Sequence, residues 1–254
     1  MNMHNGKPIS AHLLKLSVKL ADVVLGRSAQ WTHPEAPDVP HQQNLPGATY
    51  SPWLGDAGFV ECYRQIKSNT LVDQYRCYEL WELGKQLAQV EGDYLEVGVW
   101  RGGTGCLLAQ SVRNTRKRVF LADTFSGVVK AGERDTNYAG GEHSDTSEGA
   151  VLELAQRLNL ENVSILKGIF PDDTAHEISG KIALFHCDVD VYASAKDSVS
   201  WVLPRLSPGG AIVFDDYGFY GCEGVTRFVN ELRQSGEGLF FVHNLNGHAL
   251  LLKR

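Results

Sequence analysis

Short apolar runs and longer mixed stretches alternate along the chain from residue 94 onwards. The short runs are rich in Val, Ile, Leu and Phe and predict buried strands of a parallel sheet, whereas the longer stretches between them predict helices. The predicted strands are the run that starts at Tyr94, Val119–Asp123, Val163–Gly168, Ile182–Asp190 and Ala211–Asp216. The predicted helices are Thr104–Arg113, Ser147–Leu158, Ala193–Leu206 and Gly224–Gln234. This regular alternation predicts a doubly wound α/β fold.

The C-terminal part of the chain departs from the alternation. Two apolar runs, Leu239–His243 and His248–Lys253, bracket the dipeptide Asn246-Gly247, a strong signal for a tight turn. They predict an antiparallel hairpin at one edge of the sheet. The complete pattern therefore predicts a Rossmann-like α/β architecture, with a mostly parallel seven-stranded sheet and a C-terminal antiparallel hairpin.

The first 60 residues have a different pattern. Four apolar residues recur there at the spacing of an amphipathic helix: Leu13, Leu16, Leu20 and Val24. The next stretch, Trp31–Asp56, holds five of the nine prolines and predicts a long loop, either a binding loop or a linker. We therefore divide the chain into residues 1–60, which act as a lid or an oligomer contact, and a main domain of residues 61–254. A helix predicted at Leu71–Val90 leads into the first strand of that domain.

Composition narrows the class of protein. The net charge of -6 argues against a nucleic-acid surface, which carries a basic excess, so small molecules are the expected partners. The five cysteines form no Cys-x-x-Cys pair, which favours buried thiols in a reducing cytoplasm over a zinc site. Lys15, Lys19 and Asp22 interrupt the N-terminal apolar stretch, so neither a signal peptide nor a membrane span is expected. A cytoplasmic protein is expected, and the N-terminal helix is compatible with a homo-oligomer.

The first strand runs into an acid and a glycine-rich turn, Glu96-Val-Gly98-Val-Trp-Arg-Gly102. This spacing differs from the G-x-G-x-x-G of dinucleotide-binding folds, and Glu96 would repel a pyrophosphate but attract a cation. The turn resembles the first motif of class I methyltransferases, whose cofactor S-adenosylmethionine carries an ammonium and a sulfonium. The terminal hairpin is expected of the same architecture. The residues expected at the cofactor are Glu96, Gly98, Val99, Trp100 and Gly102.

Four of the predicted strands end in acids. These acids are Glu96, Asp123, the pair Asp188 and Asp190, and the pair Asp215 and Asp216. Ligands of doubly wound sheets bind beyond the carboxyl ends of the strands, so the acids are expected at one crevice.

The ends of the second and third strands are candidates for the nucleoside. Asp123 is expected to accept hydrogen bonds from both hydroxyls of a ribose, with a turn cap as the alternative. Thr124 would flank the nucleoside. Gly168 and Phe170 would give an apolar wall for the purine, although Phe170 fits a plain core position equally well.

The remaining acids predict a divalent metal. Asp188 and Asp190 lie two residues apart and would point to the same side of an extended strand, towards Asp215 and Asp216. Carboxylates that converge in one crevice repel one another unless they are protonated or bind a cation, and such oxygen-rich sites suit Mg²⁺ or Ca²⁺. A bound metal would lower the pKa of an acceptor hydroxyl, and a free carboxylate would take its proton. Asp190 is our candidate for that base and Asp188 for a ligand.

Four motifs resemble the macrocin O-methyltransferase (TylF/MycF) family, and the resemblance extends from about Asp56 to the C-terminus. They are Glu-Val-Gly-Val-Trp-Arg-Gly-Gly (96–103), Ala-Asp-Thr-Phe-Ser-Gly (122–127), Asp-Val-Asp-Val-Tyr (188–192) and Leu-Ser-Pro-Gly-Gly-Ala-Ile-Val-Phe-Asp-Asp-Tyr (206–217). The resemblance implies an enzyme that uses S-adenosylmethionine and Mg²⁺ to methylate hydroxyls of deoxysugars attached to natural products. It implies metal ligands at Asp188, Asp215 and Asp216 and a base at Asp190. It also implies cofactor contacts at Glu96, Gly98 and Asp123, and Asp188 is expected to contact the cofactor as well.

Several alternatives remain open. The acceptor could instead be a catechol-like phenol, or the protein could bind the cofactor without catalysis; the missing G-x-G-x-x-G disfavours an oxidoreductase. The polar segment 135–147 is expected to form a flap, and His143 within it contributes to the site or faces solvent. Tyr192 and Tyr217 each follow an acidic pair and either contact a sugar or pack in the core.

Overall fold

The computed structural model describes residue 20, residues 30–42, residue 44, residues 48–236 and residues 238–254. Apart from Leu20, the predicted N-terminal amphipathic helix lies outside the described residues. The chain divides into two compact units, Met1–Ala48 and Thr49–Arg254.

The first unit contains an antiparallel hairpin of β1 (Trp31–His33) and β2 (Ala36–His41). The Trp31 and His41 rings stack across it, with their centroids 6.3 Å apart. The prediction of a loop throughout Trp31–Asp56 is therefore wrong. The prolines that suggested a loop are compatible with a two-stranded sheet, because each strand has an edge where a missing N–H costs no ladder bond.

The second unit contains, in the part of the chain that the structure describes, a seven-stranded sheet in the order β5-β4-β3-β6-β7-β9-β8. Its strands are β3 (Asp93–Val97), β4 (Val119–Asp123), β5 (Val163–Lys167), β6 (Ile182–Cys187), β7 (Leu206–Phe214), β8 (Leu239–His243) and β9 (Ala249–Lys253). The first five pair in parallel, and β9 pairs antiparallel with both β7 and β8. The fold class predicted from the sequence is confirmed.

Helices cover both faces of this sheet. They are α1 (Ala57–Ile66), α2 (Gln74–Gln86), α3 (Gly103–Ser111), α4 (Glu148–Arg157), α5 (Tyr192–Val202) and α6 (Glu223–Ser235). Alternate strand residues point to opposite faces, so Tyr94 packs with α1–α4 and Leu95 packs with α5 and α6. None of the helices in the described ranges is both long and apolar enough to cross a membrane.

Helix α1 is absent from the sequence prediction. Asp56 caps its first turn by accepting a hydrogen bond from the backbone N–H of Phe59 at 2.9 Å. Phe59, Cys62 and Ile66 form its buried face. The capping aspartate and this spacing are the signals that could have identified the helix.

Strand β6 ends earlier than predicted, and this changes how its two acids are presented. Asp188 and Asp190 follow the last strand residue, Cys187, so they do not alternate along an extended strand as the sequence analysis expects. Asp190 has a φ of 64°, in the left-handed region that few non-glycine residues adopt. The sheet order reverses between β3 and β6, and the loops that follow these two strands meet at that point.

Candidate active site

A cavity of about 330 Å³ lies beyond the carboxyl ends of β3, β4, β6 and β7. Most of the predicted cofactor residues line it: Gly98, Val99, Trp100, Asp123, Thr124, Gly168, Phe170 and Asp188. The predicted base Asp190 and the acids Asp215 and Asp216 line it as well. Glu96 and Gly102 are not among the lining residues. The sheet therefore brings most of the predicted site together at one edge.

The glycine turn after β3 is shaped by close backbone contacts. Gly98 has a φ of 89°, and a Cβ there would lie 1.6 Å from the carbonyl oxygen of Asp188. No side chain fits at this position, so the turn and the loop after β6 approach as closely as only glycine permits. Gly102 precedes the first turn of α3, and a Cβ there would lie 2.8 Å from Val151 of α4. Gly102 thus serves helix packing.

Asp123 holds the glycine turn. Its Oδ2 accepts hydrogen bonds from the backbone N–H groups of Val99 and Trp100, both at 2.8 Å, and its Oδ1 accepts one from Phe125 at 2.6 Å. An ionised carboxylate offers about four lone-pair positions, so these donors leave about one. Contacts to both ribose hydroxyls are expected from the sequence, whereas the hydrogen bonds already made by Asp123 leave room for about one.

Glu96 is completely buried beneath the turn. Its Oε1 lies 2.8 Å from Nδ1 of His186 on the neighbouring strand β6. A Cβ at Gly105 of α3 would lie 2.3 Å from Oε2, so this glycine admits the carboxylate between sheet and helix. Burial opposes protonation of His186, but the Asp215 carboxylate, whose Oδ1 lies 3.9 Å from Nε2, and the hydrogen bond to Glu96 outweigh it and raise the pKa of His186 to about 9. Glu96 therefore lies in a buried contact with His186 outside the cavity lining, and its contact with the cofactor stays a prediction.

The nucleoside candidates follow β4 and β5, which lie on the other side of β3 from β6 and β7, the strands that precede the acid cluster. Gly168 has a φ of 148°, and its N–H donates to the carbonyl oxygen of Asp123 at 2.9 Å. Phe170 is buried and packs edge-on against Trp201, with the ring centroids 5.2 Å apart. The Thr124 hydroxyl donates to the carbonyl oxygen of Gly127 at 2.9 Å, which fixes the turn after β4.

Three carboxylates converge next to the glycine turn. Asp188, Asp215 and Asp216 each offer an oxygen, and these oxygens lie within 4.8 Å of one another. Burial and the charges of neighbouring carboxylates raise the pKa of Asp188 and of Asp216. The ionised forms of these two acids are therefore destabilised by the negative charges around them, and a bound cation would offset this repulsion.

Asp215 is the exception in this cluster because it has cationic partners. Nη1 of Arg76 lies 2.5 Å from its Oδ2, and Nε2 of His248 lies 2.9 Å from its Oδ1. Burial alone would raise the pKa of Asp215, but the neighbouring His186, the hydrogen bond from His248 and the charge of Arg76 hold it well below its usual range. Asp215 thus stays ionised and fixed in orientation.

Arg76 and His248 contact the acid cluster but are not identified by the sequence pattern. Arg76 lies in the first turn of α2, where its Nε also pairs with the capping residue Asp73 at 2.8 Å. His248 immediately precedes β9 and is completely buried. The spacing Asp73-x-x-Arg76 fits a helix cap, but nothing local indicates a contact with an acid 139 residues away.

Asp190 lies at the rim of the acid cluster. Its backbone N–H donates to Oδ2 of Asp216 at 3.0 Å, and its Oδ1 accepts a hydrogen bond from the hydroxyl of Tyr138 at 2.6 Å. Burial raises the pKa of Asp190, although the Tyr138 hydrogen bond and the charge of His143 oppose the change. A carboxylate with a raised pKa is a better proton acceptor than an ordinary aspartate.

The two tyrosines considered for sugar contact lie outside the cavity lining. The Tyr192 hydroxyl donates to Glu231 at 2.5 Å and the Tyr217 hydroxyl donates to Asn230 at 2.9 Å, so both are packing residues. The aromatic residues that line the cavity are Trp100, Tyr138, Phe170, Phe219 and Tyr220. Phe219 is 39% exposed, and the Arg76 guanidinium lies 4.7 Å from its ring centroid.

Comparison with known proteins identifies a family and several relatives that match a large part of the chain. The sequence profile of the Macrocin-O-methyltransferase (TylF) family matches residues 67–240. The 8-demethyl-8-(2,3-dimethoxy-alpha-L-rhamnosyl)-tetracenomycin-C 4'-O-methyltransferase of Streptomyces olivaceus is 32% identical over 177 residues, which cover 61% of this chain and 67% of that protein. The mycinamicin III 3''-O-methyltransferase of Micromonospora griseorubida is 34% identical over 193 residues, which cover 66% and 75%. The solved structure of the O-methyltransferase NovP shares the fold, with a TM-score of 0.64, 22% identity and coverage of 96% of this chain and 99% of that one.

Proposed function

The chain belongs to the macrocin O-methyltransferase family of S-adenosylmethionine-dependent enzymes, and we propose that it methylates a sugar hydroxyl on a secondary metabolite with the help of Mg²⁺. The observation that carries the proposal is the convergence of Asp188, Asp215 and Asp216 beside the glycine turn. The names of the relatives support the substrate class, since one acts on a rhamnosyl tetracenomycin and another on mycinamicin III.

S-adenosylmethionine supplies an activated methyl group, and the lining residues suit its parts. The backbone of the glycine turn lines the cavity at Gly98 and Val99, where the cofactor would lie against it. Asp123 would accept a ribose hydroxyl at its remaining lone pair. Phe170 and Gly168 would flank the purine.

The donor set at the acid cluster fits Mg²⁺, which prefers carboxylate oxygens and keeps positions open for water or substrate. Bound there, Mg²⁺ would lower the pKa of an acceptor hydroxyl and fix its orientation. Asp188 and Asp216 would hold it with their otherwise uncompensated charge. Asp215 would contribute through lone pairs that Arg76 and His248 leave open.

Asp190 would then act as the general base. Its carboxylate would accept the proton of the acceptor hydroxyl as the methyl group passes from the cofactor sulfur to that oxygen, and would later release this proton to water. The products would be a methyl ether and S-adenosylhomocysteine. Tyr138 and His143 line the cavity with this carboxylate, and the Tyr138 hydroxyl donates a hydrogen bond to it.

The direct test of this function is calorimetric titration with S-adenosylhomocysteine, followed by methyl-transfer assays with a glycosylated metabolite and with a catechol. We expect binding, and transfer to the glycosylated acceptor only. Transfer to the catechol alone would favour the phenol alternative. Binding without transfer to any acceptor would favour a non-catalytic binding protein, and the absence of binding would overturn the proposal.

A second prediction tests the metal site through stability. The pKa of Asp216 is raised in the folded state, so ionisation of this carboxyl destabilises the folded protein. The protein keeps its full stability at a pH below the pKa of Asp216 in the unfolded chain, and loses part of it as the pH rises through the pKa in the folded state. In chelator at pH 8, Asp216→Asn should therefore raise Tm by about 2–4 °C, the change expected for roughly 1 kcal/mol. Mg²⁺ should raise the Tm of the unmodified protein and leave that of Asp216→Asn almost unchanged.

The control for this measurement is Asp172→Asn, which removes an exposed carboxylate paired with Lys130 at 2.8 Å outside the cavity. The Tm of Asp172→Asn should differ little from that of the unmodified protein, and Mg²⁺ should raise it by the same amount. Equal Mg²⁺ responses in Asp216→Asn and in the unmodified protein would contradict the assignment of Asp216 as a ligand.

A further inference from the structure

One segment beside the active site is fastened at both ends. We call residues 132–147, between β4 and α4, the strap. At its first end the Asp135 carboxylate accepts hydrogen bonds from the backbone N–H of Tyr192, at the start of α5, and of Gly132, at 2.8 and 2.9 Å. The Thr136 hydroxyl donates to the carbonyl oxygen of Gly221 at 2.9 Å. This end is therefore attached to the segments that precede α5 and α6.

The second end of the strap is attached to the glycine turn. The Asp145 carboxylate accepts hydrogen bonds from Nε1 of Trp100 at 2.8 Å and from Nη2 of Arg101 at 2.5 Å. The Thr146 hydroxyl donates to the carbonyl oxygen of Trp100. The strap thus spans the cavity from the α5 and α6 side to the proposed cofactor turn.

Between these attachments the strap directs the side chain of Tyr138 at the acids. The Tyr138 hydroxyl donates to Oδ1 of Asp190 at 2.6 Å, and Tyr138 lines the cavity. Burial and the negative charge of Asp190 raise the pKa of Tyr138, so its phenol keeps the proton that it donates. Asp190 itself adopts a left-handed backbone conformation that its N–H bond to Asp216 supports.

We propose that Tyr138 is a positioning residue for Asp190, and that it makes the orientation of this carboxylate depend on the strap. The inference rests on the function proposed above for Asp190. With Oδ1 engaged by the phenol, the other oxygen is left to accept the proton of the acceptor hydroxyl. Because the strap carries Tyr138, Asp190 is oriented for proton transfer only while the strap lies across the cavity. Enclosure of the acceptor and orientation of the base are thereby linked.

The test compares Tyr138→Phe, Asp190→Asn and the double variant. Tyr138→Phe should lower kcat by about 10- to 100-fold, because it removes a hydrogen bond to a charged group. The KM for the acceptor and the affinity for S-adenosylhomocysteine should change by less than about threefold. In the Asp190→Asn background the same change should have almost no further effect on kcat. Equal losses of kcat in both backgrounds would overturn the proposal, and so would an unchanged kcat in Tyr138→Phe.

A second measurement does not depend on turnover. Hydrogen–deuterium exchange of strap amides should rise in Tyr138→Phe and in Asp190→Asn by similar factors, and the double variant should show no additional rise. If the two substitutions raised the exchange rate additively, or did not raise it at all, the contact between Tyr138 and Asp190 would not be what connects the strap to the base. Failure of methyl transfer by the unmodified protein would overturn the proposed function, whereas the exchange result would still decide whether the phenol links strap and carboxylate.

The matched control is Tyr94→Phe. It removes a phenol hydrogen bond of the same 2.6 Å length, to the carbonyl oxygen of Gly84, at the opposite end of the sheet. Tyr94→Phe should lower the stability of the protein. It should not cause the loss of kcat expected for Tyr138→Phe, nor raise hydrogen–deuterium exchange in the strap more than in the rest of the chain. A loss of kcat equal to that in Tyr138→Phe would assign the effect to general destabilisation and overturn the positioning role.

Discussion

Replacing Asp190 with asparagine is expected to lower kcat by about 10²- to 10⁴-fold, the usual contribution of a general base. Asparagine has almost the same shape but cannot take the proton from the acceptor hydroxyl. Its amide can still face Tyr138, and the backbone N–H that donates to Asp216 is unchanged. The affinity for S-adenosylhomocysteine should therefore stay within about twofold of that of the unmodified protein, because the substitution removes only a proton acceptor. Single-turnover kinetics and calorimetric titration measure the two quantities.

The control for this substitution is Asp197→Asn, since Asp197 pairs with Lys130 at 2.6 Å and does not line the cavity. Its kcat should stay close to that of the unmodified protein. If Asp190→Asn kept full turnover, Asp190 would not be the base. The raised pKa of Asp188 would then make that residue the next candidate for proton transfer.

Removal of divalent cations is expected to reduce turnover by at least about 100-fold, because polarisation of the hydroxyl contributes several kcal/mol to lowering the barrier. Addition of Mg²⁺ should restore activity completely, since the acid cluster is held by the sheet edge and not by the metal alone. Asp215 in particular keeps its orientation through Arg76 and His248. Activity assays in chelator, before and after Mg²⁺ is added in excess, measure this effect.

S-adenosylhomocysteine titration in chelator is the companion measurement. The glycine turn is fixed by Asp123 and by the contact between Gly98 and Asp188, so the product should still bind without the metal. Full turnover in excess chelator would reject the metal assignment and leave acid–base catalysis by the carboxylates alone. Loss of product binding in chelator would instead place the cation in the cofactor site.

Much of the fold follows from local pattern. Apolar runs of strand length, glycine turns and the Asn246-Gly247 dipeptide predict the parallel sheet and its reversed edge, and the family resemblance derived from the same residues is confirmed. The elements missed are short or unusual, such as α1 behind Asp56 and the proline-containing hairpin β1–β2. The cap formed by Asp56 stabilises the first turn of α1, and edge strands such as β1 and β2 tolerate proline. Local helix and strand propensities do not take these two effects into account.

The sequence by itself determined which acids lie at the carboxyl edge, because in a parallel sheet every strand end points the same way. Only the tertiary structure decided what those acids contact. Glu96 faces α3 and the neighbouring strand, where His186 meets it, so it does not reach the cavity. Arg76 and Tyr138 reach Asp215 and Asp190 across 139 and 52 residues of chain. Contacts of this kind depend on how helices and loops pack over the sheet, and no local spacing encodes them.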